Sequence, residues 1–297
     1  KAEEALARGA KRARARSGKA IVLDPKTGEI LAMANYPSFD PNKVRKLNTG
    51  DWKNRVVQDQ YTPGSVFKLV TYGSALEEKL ISPLSTIDCG NGTITVAGHT
   101  FNDSHAIGNV SYKEAFAQSS NGGAIKVSKK VGKRNFYEYA RKFGFGSKTG
   151  IGLPAEAGGV IRDPSRWNRD SLASMSIGYE ISVTALQSAA AFATIANDGI
   201  KIQPHIIKEI RKSDGEVIRK AKPQTERVVS QETAQDLRAM LRQVVLDGTA
   251  KRTKLNGFTS AGKTGTAWKY DPKLKKVNSN LYVSSFIGFA PADNPKV

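Results

Sequence analysis

Apolar and polar residues alternate near both ends of the chain and recur at helical spacing through its middle. Lys19–Leu23 and Glu29–Tyr36 are apolar-rich runs on either side of Asp24-Pro25-Lys26-Thr27-Gly28, the pattern of a strand, a turn and a strand. His205–Lys220 alternates around Asp214-Gly215 and predicts a hairpin. Phe258–Trp268 and Leu281–Ala290 predict two further strands, with a polar tip at Asp271–Lys276. Between Gly64 and Ala196 the spacing is mostly helical. Tyr61-Thr62-Pro63-Gly64 is a turn, and Val66, Phe67, Leu69, Val70 and Leu76 then follow on a helical apolar pattern. Ser111-Tyr112-Lys113-Glu114 reads as a capping box opening a helix through Ala117. Ser119-Ser120-Asn121-Gly122-Gly123 interrupts it, and a helix resumes through Ile125 and Val131. Arg134–Phe143 is another helix, stopped by Gly144. Val183–Ala196 is the most apolar segment and reads as a buried helix. Ser230 caps a helix that runs to Asp247 and stops at Gly248. Asp40–Gln60 is polar and predicts loop. Lys1–Arg16 reads as an amphipathic helix already in progress, hence as a cut end. The expected class is mixed α/β: an antiparallel sheet flanked by helices and built from both ends (about 1–60 and 200–297), with an all-helical lobe (about 61–199) inserted.

Composition narrows the classes. With 297 residues the chain can bury a full core. No stretch reaches the roughly 18 apolar residues of a membrane span. The one cysteine, Cys89, excludes an intrachain disulfide and a thiolate metal cluster. His99, His105 and His205 lack a zinc spacing, and His99 and His105 with Asp103 between them read as a polar loop. The formal charge is +19, but the basic residues are spread along the chain and not interleaved with aromatics; only Lys11–Arg16 is dense. That speaks for a basic surface near an anionic envelope and against nucleic acid. Nothing calls for a metal or a cofactor.

Chemistry enters with three short strings in order: Ser65-Val66-Phe67-Lys68, Ser119-Ser120-Asn121 and Lys263-Thr264-Gly265-Thr266. Singly they are weak, since Ser-x-x-Lys occurs twice and Lys-Thr-Gly three times. Lys26-Thr27-Gly28 reads as a hairpin turn and Lys148-Thr149-Gly150 as a Gly-rich loop. Ser260 precedes a strand-like segment, where positions i and i+3 face opposite ways and cannot cooperate. Ser65 instead opens a helix, with Lys68 one turn later on the same face; the plainer alternative is that Ser65 only caps that helix. Ser65 is the candidate nucleophile and Lys68 the base, provided burial and a second cation such as Lys263 keep Lys68 neutral part of the time. The backbone N–H groups of Ser65 and of Thr266 are candidates for an oxyanion hole. Ser119 can relay a proton, and Asn121 can hold a peptide amide, although a helix–helix turn also favours both residues. Lys263, Thr264 and Thr266 suit a substrate carboxylate, and Gly265 would let a substrate backbone approach closely.

With the three strings together, the chain resembles a class B penicillin-binding protein, most like the cell-division transpeptidases. Ser17–Ala20 through Gly28–Asn42, Tyr61–Ser65, Gly178–Gln187, Gly262–Ala267 and Phe286–Ala292 carry the resemblance along nearly the whole chain. It implies a penicillin-binding transpeptidase fold over residues 1–297 and D,D-transpeptidation through a Ser65 acyl-enzyme with Lys68 and Ser119. Asn121, Lys263, Thr264, Gly265 and Thr266 would line the cleft. Peptidoglycan stem peptides and β-lactams are the implied ligands. A membrane glycosyltransferase and divisome proteins are the implied partners of the full-length protein, at the outer face of the bacterial cytoplasmic membrane. Departures are Glu180 where the family has Gly and Ala185 where it has Pro. The family's domain also continues beyond Pro291–Pro295 into a strand and a terminal helix, and the family's N-terminal membrane anchor and pedestal region are expected outside residues 1–297. A serine β-lactamase or β-lactam sensor is the nearest alternative, but the Glu-x-x-x-Asn element of class A lactamases does not occur between Asn121 and Lys263. A non-catalytic scaffold of a division complex is the alternative from another class.

Overall fold

A single helix whose residues from Lys68 to Leu76 are all buried organises the molecule. The structure is a computed structural model that describes residues 1–40, 42–43, 49–271 and 275–297. The chain opens with α1 (Ala2–Arg12), the strands β1 (Gly18–Leu23) and β2 (Ile30–Tyr36), and the short α2 (Arg55–Gln58). A 3₁₀ turn, Gly64–Phe67, leads into α3 (Lys68–Glu77). Then come β3 (Thr86–Asp88), β4 (Thr93–Val96), β5 (His99–Asn102) and β6 (Asn109–Ser111). The helices α4 (Tyr112–Ala117), α5 (Asn121–Val131), α6 (Lys133–Lys142), α7 (Ser171–Ser176) and α8 (Ala185–Ala196) follow. The last part holds β7 (Ile200–Ile202), β8 (Glu209–Arg211), β9 (Val217–Lys220), β10 (Thr225–Arg227), α9 (Gln231–Leu246), β11 (Ala261–Asp271) and β12 (Lys276–Phe289).

The mixed α/β class and the antiparallel strands agree with the sequence, but the pairing is distributed differently. Among the described residues the strands form six two-stranded ladders, with β1–β2 and β11–β12 the longest. A ladder needs two strand edges about 4.8 Å apart. The two terminal hairpins share no such edge; they are joined through α8, which packs against both β1 and β12. The inserted lobe is also not all helical. It carries the ladders β3–β6 and β4–β5, because Thr86-Ile87-Asp88 and Thr93-Ile94-Thr95-Val96 are β-branched alternating runs cut by glycine turns. The predicted loop at Asp40–Gln60 and the polar tip at Asp271–Lys276 lie partly outside the described residues; of the former, Thr49–Trp52 is 3₁₀ and Arg55–Gln58 helical.

Residues 68–76 of α3 are buried on every side because neighbours surround the helix: α5, α6, α7 and α9 all pack on it. Phe67 meets Phe145 at 4.9 Å and Phe136 at 6.0 Å, and Tyr72 meets Phe116 edge-on at 4.9 Å. One core cluster runs through these residues and on into α9 and β11, so the two parts of the chain share an interior. A smaller cluster of Val56, Val57, Ile151 and Leu186 lies beneath β1 and β2. Ser230 caps α9 by accepting from the Thr233 N–H at 3.1 Å. At α4 only half the capping box forms: Ser111 accepts from the Glu114 N–H, while the Glu114 carboxylate takes the Gln118 amide. The complete box is Thr184 with Gln187, at the start of α8.

Candidate active site

Three backbone segments converge at the N-terminal end of α3. The first is the turn that carries Ser65. Gly64 adopts φ +58°, and a Cβ there would come within 2.7 Å of the Thr266 carbonyl on β11. A Cβ on Gly265 would in turn meet the Pro63 carbonyl at 2.7 Å. The turn that carries Ser65 and β11 therefore lie backbone to backbone, an approach only glycines permit. Behind the turn the Gly64 N–H donates to Gly178, and Tyr61 exchanges two backbone hydrogen bonds with Val183. On its Cβ side Gly265 makes its close approach to the protein's own turn.

Ser65 is partly exposed, and its hydroxyl takes part in no hydrogen bond among the described residues. It does not cap α3: neither the 3₁₀ turn nor α3 has a side-chain cap. Lys68, one turn on, is 0% exposed.

The second segment is the corner between α4 and α5. The Ser119 N–H donates to the Phe116 carbonyl and the Ser120 N–H to the Ala115 carbonyl, with Ser119 at φ +61°. This is a Schellman closure with serine where glycine is usual. A left-handed serine is strained, and the strain turns both its carbonyl and its hydroxyl toward α3. Lys68 Nζ donates to the Ser119 carbonyl at 2.6 Å, to Asn121 Oδ1 at 2.7 Å and to Ser119 Oγ at 3.3 Å. Asn121 Nδ2 donates to the Asn102 carbonyl at 2.7 Å. Asn121 therefore has both ends of its amide engaged, with one lone pair and one N–H to spare for a substrate. The helix–helix corner and the site are one feature.

The third segment is β11, in which alternate residues face opposite sides. Lys263, Gly265 and Ala267 are buried, while Thr266 and Trp268 are exposed. Lys263 is 0% exposed and donates to Ser119 Oγ at 2.8 Å and to the Thr264 carbonyl at 3.2 Å. Its ammonium also lies 6.0 Å from the Phe116 ring centre. Thr264 pairs with Thr249 through their hydroxyls at 2.7 Å.

Ser119 Oγ is thus the shared partner of two buried amines. Burial pulls both lysines below their ordinary range. Lys68 falls to about 7, the Asp103 carboxylate opposing the desolvation. Lys263 is held well below its usual value by burial first and by the charge of Lys68 second. The sequence pattern gives Lys263 a part in lowering Lys68; in the structure burial is the first cause for both lysines, and two buried amines that share Ser119 Oγ disfavour each other's charge.

The structure joins Lys68, Ser119, Asn121 and Lys263 by direct contacts, with Ser65 one turn from Lys68 and Thr264 and Thr266 on the outer face of β11. It adds three residues that the sequence motifs do not select. Phe116 lies under Lys263, Thr249 fixes Thr264, and Asp103 holds the start of α5. Asp103 accepts from the Asn121 N–H, from Ser120 Oγ at 2.8 Å and from the Gly122 N–H at 3.3 Å. Read only with its neighbours His99 and His105, Asp103 is a polar loop residue; only the β4–β5 ladder carries it to α5. Ser260, Lys26 and Lys148 stay outside the contacts of the site. Glu180 takes a left-handed conformation (φ +57°), and its carboxylate is held by Arg162 and by Ser171 Oγ. Ala185 is the first residue of α8, a position proline also favours.

Fold and site together define a class: mixed α/β proteins in which a serine–lysine pair at the head of a central helix faces a hydroxyl–amide corner and a lysine-bearing strand. Within it, the chain belongs to the family of penicillin-binding-protein transpeptidase domains. The family model described as penicillin binding protein transpeptidase domain matches residues 18–297. Penicillin-binding protein PbpB of Mycolicibacterium smegmatis is 38% identical over 292 residues, 95% of this chain and 45% of that protein. Stage V sporulation protein D of Bacillus subtilis is 34% identical, over 94% of this chain and 44% of its own length. Penicillin binding protein 3 from Mycobacterium tuberculosis, solved in complex with aztreonam, superposes with a TM-score of 0.92 at 35% identity, covering 99% of this chain and 68% of that one. The chain spans slightly less than half the length of these curated relatives.

Proposed function

We propose that this chain is the catalytic domain of a peptidoglycan D,D-transpeptidase, with Ser65 as its nucleophile. The observation that carries the reading is Ser119 Oγ within hydrogen-bond distance of both Lys68 and Lys263. In its neutral form Lys68 has two N–H groups for the two short contacts and a lone pair in the third direction. That lone pair takes the Ser65 proton as Oγ attacks the penultimate D-alanyl carbonyl of a stem peptide. The Ser65 and Thr266 backbone N–H groups stabilise the tetrahedral oxyanion. Collapse breaks the peptide C–N bond, and the departing D-alanine amine collects a proton from Lys68 through Ser119. An amine of a neighbouring stem then attacks the acyl-enzyme; it forms the new amide, loses a proton along the same route and restores the Ser65 hydroxyl. Lys263 with Thr264 and Thr266 receives the donor's terminal carboxylate, and Asn121 its amide. β-Lactams enter as donor mimics. Cross-linking of this kind acts on wall material outside the cytoplasm. The same reading takes residues 1–297 as part of one transpeptidase domain, with a sheet-rich part at 1–60 and 200–297 and a helix-rich part at 61–199. In the longer protein it expects septal wall synthesis at the outer face of the cytoplasmic membrane, beside a membrane glycosyltransferase and division proteins.

Mass spectrometry of the domain after treatment with penicillin tests it. The expected result is one stoichiometric, long-lived adduct on the peptide containing Ser65, and none in Ser65→Ala. Equal labelling of Ser65→Ala would remove Ser65 from the nucleophile's role, and rapid turnover of penicillin would favour a β-lactamase.

A further inference from the structure

Asp103 stands between the two halves of this site without touching the reacting serine. It follows β5, whose last residue, Asn102, also holds the Asn121 amide. Its two carboxylate oxygens accept from the backbone N–H groups of Asn121 and Gly122 and from Ser120 Oγ. A carboxylate at a helix start is favourable on its own account. Here the residues it holds also hold Lys68: Ser119 precedes the clamped Ser120, and Asn121 gives Lys68 its amide oxygen at 2.7 Å. Ser119 lies in the strained left-handed region, so its placement depends on what fixes the residues beside it.

We propose that Asp103 is a positioning residue of the reaction: its carboxylate clamps the first turn of α5 so that Ser119 and Asn121 engage Lys68, and its negative charge acts on the Lys68 ammonium. The inference rests on Lys68 being the base for Ser65.

The ionisable groups about Lys68 are few. Asp103 comes from the end of β5, Cys89 from the end of β3, Tyr72 from α3 itself, Tyr112 from α4 and Lys263 from β11. At the far end of α3, Glu77 is taken by Ser230 and Glu78 by Tyr139. Burial raises Cys89 and Tyr72 above their usual ranges, so both stay neutral at neutral pH. Among these groups Asp103 is the anion that opposes the desolvation of Lys68. A base left wholly to burial would shed its proton at lower pH but would bind it too weakly to deliver it to the leaving amine.

Two substitutions separate the clamp from the charge. Asp103→Asn removes the charge and keeps one acceptor oxygen, its amide N–H₂ then facing a backbone N–H of the clamp. Ser120→Ala keeps the charge and removes one of the clamp's hydrogen bonds. Each protein is titrated by its rate of acylation with a fluorescent penicillin between pH 5 and 9, with circular dichroism confirming the fold. For Asp103→Asn the inference expects a lower maximal rate and a midpoint about one pH unit below wild type, the lower end of what one opposing charge does. For Ser120→Ala it expects a lower rate at an unmoved midpoint. A midpoint unmoved in Asp103→Asn overturns the role of the charge, and an unchanged maximal rate in both variants overturns the clamp. If the wild-type protein itself fails to acylate at Ser65, the proposed function fails and the inference with it, which is a different outcome from either.

Discussion

Two of the three Lys-Thr-Gly strings stand in quite different places. In the loop that follows α6, Lys148 projects into solvent, while the Thr149 N–H, the Thr149 hydroxyl and the Gly150 N–H all donate to the Glu156 carboxylate at 2.6, 2.6 and 3.2 Å. In β11 the same three residues are extended. Lys263 is buried on Ser119, Thr264 meets Thr249, and Gly265 lies against the Pro63 carbonyl. The difference is made by backbone geometry. Extended chain puts i and i+2 on one side, so Lys263 and Gly265 share the face turned to Ser119 and to the turn that carries Ser65. The loop, with Gly150 at φ +79°, folds its donors onto one carboxylate and leaves the lysine outside. What the tripeptide can do is decided by the strand it lies on and by what that strand opposes.

The sharpest way to break this contrast is to remove each lysine. Lys263→Ala is expected to slow penicillin acylation by about 10²–10³-fold, the loss typical of a proton-handling or electrostatic group. Lys148→Ala is expected to leave acylation unchanged and stability within about 0.5 kcal/mol, as for an exposed residue outside any network. Acylation kinetics and a thermal melt on each variant check both, and comparable losses at the two lysines would refute the contrast.

The glycine comes next. A methyl on Gly265 would sit 2.7 Å from the Pro63 carbonyl and 3.0 Å from Val66, both on the turn that carries Ser65. Backbone cannot give way as a long side chain can. Gly265→Ala is expected to cost about 1–3 kcal/mol in urea unfolding and to slow acylation by roughly tenfold or more through displacement of the turn. Full acylation in a folded Gly265→Ala would show that β11 does not set the position of Ser65.

The dependence on pH bears on the pair of buried lysines. The lysine of β11 and its partner on α3 are both desolvated, and Lys68 titrates at about 7. If Lys68 must be neutral to act, acylation rises roughly tenfold per unit as pH climbs toward 7 and levels off above it. Stability carries the same sign. Between about 7 and the ordinary lysine value of 10.5, the unfolded chain holds a proton at Lys68 that the folded chain has released. Stability from this group therefore grows as pH rises through that window, and the cost of burying the charge is felt in full below it. Acylation independent of pH from 5 to 9 would move the base away from Lys68.

Much of this architecture is legible in the order of the residues. The helix after Ser65, the interruption at Ser119–Gly123, the hairpin at Asp214-Gly215 and the long terminal strands are local patterns, and they appear where hydrophobic spacing and turn residues put them. So are the decoys: a Pro and a Gly around Lys26, and a Gly-rich run around Lys148, mark turns. What stays hidden is what only pairing creates. Thr86-Ile87-Asp88 is too short to announce a strand inside a helical stretch. Asp103 has no local signal that it will be carried to the start of α5. Thr249 reads as the residue after a helix stop until β11 brings Thr264 against it. The left-handed Ser119 is hidden for a different reason: glycine marks that conformation in sequence, and serine does not.

The smallest expected effect tests the loop's side of the contrast. Glu156 is 7% exposed, and all three donors of the Thr149–Gly150 stretch point to it. Glu156→Gln can keep the two hydrogen bonds made to Oε1, but it sets an amide N–H₂ against the Gly150 N–H and removes the charge that strengthens all three. One donor left facing another costs about 1–3 kcal/mol, a fall of about 2–4 °C in Tm for a chain of this size. The stretch on either side stays tied to α8, because Gln187 Nε2 donates to the Ser147 and Gly158 carbonyls at 2.7 Å. The damage therefore ends in the loop, and acylation by penicillin at 25 °C is expected at the wild-type rate. A Glu156→Gln protein that melts as expected and also acylates slowly would mean that the loop's tripeptide communicates with the cleft, and the two environments would then not be independent.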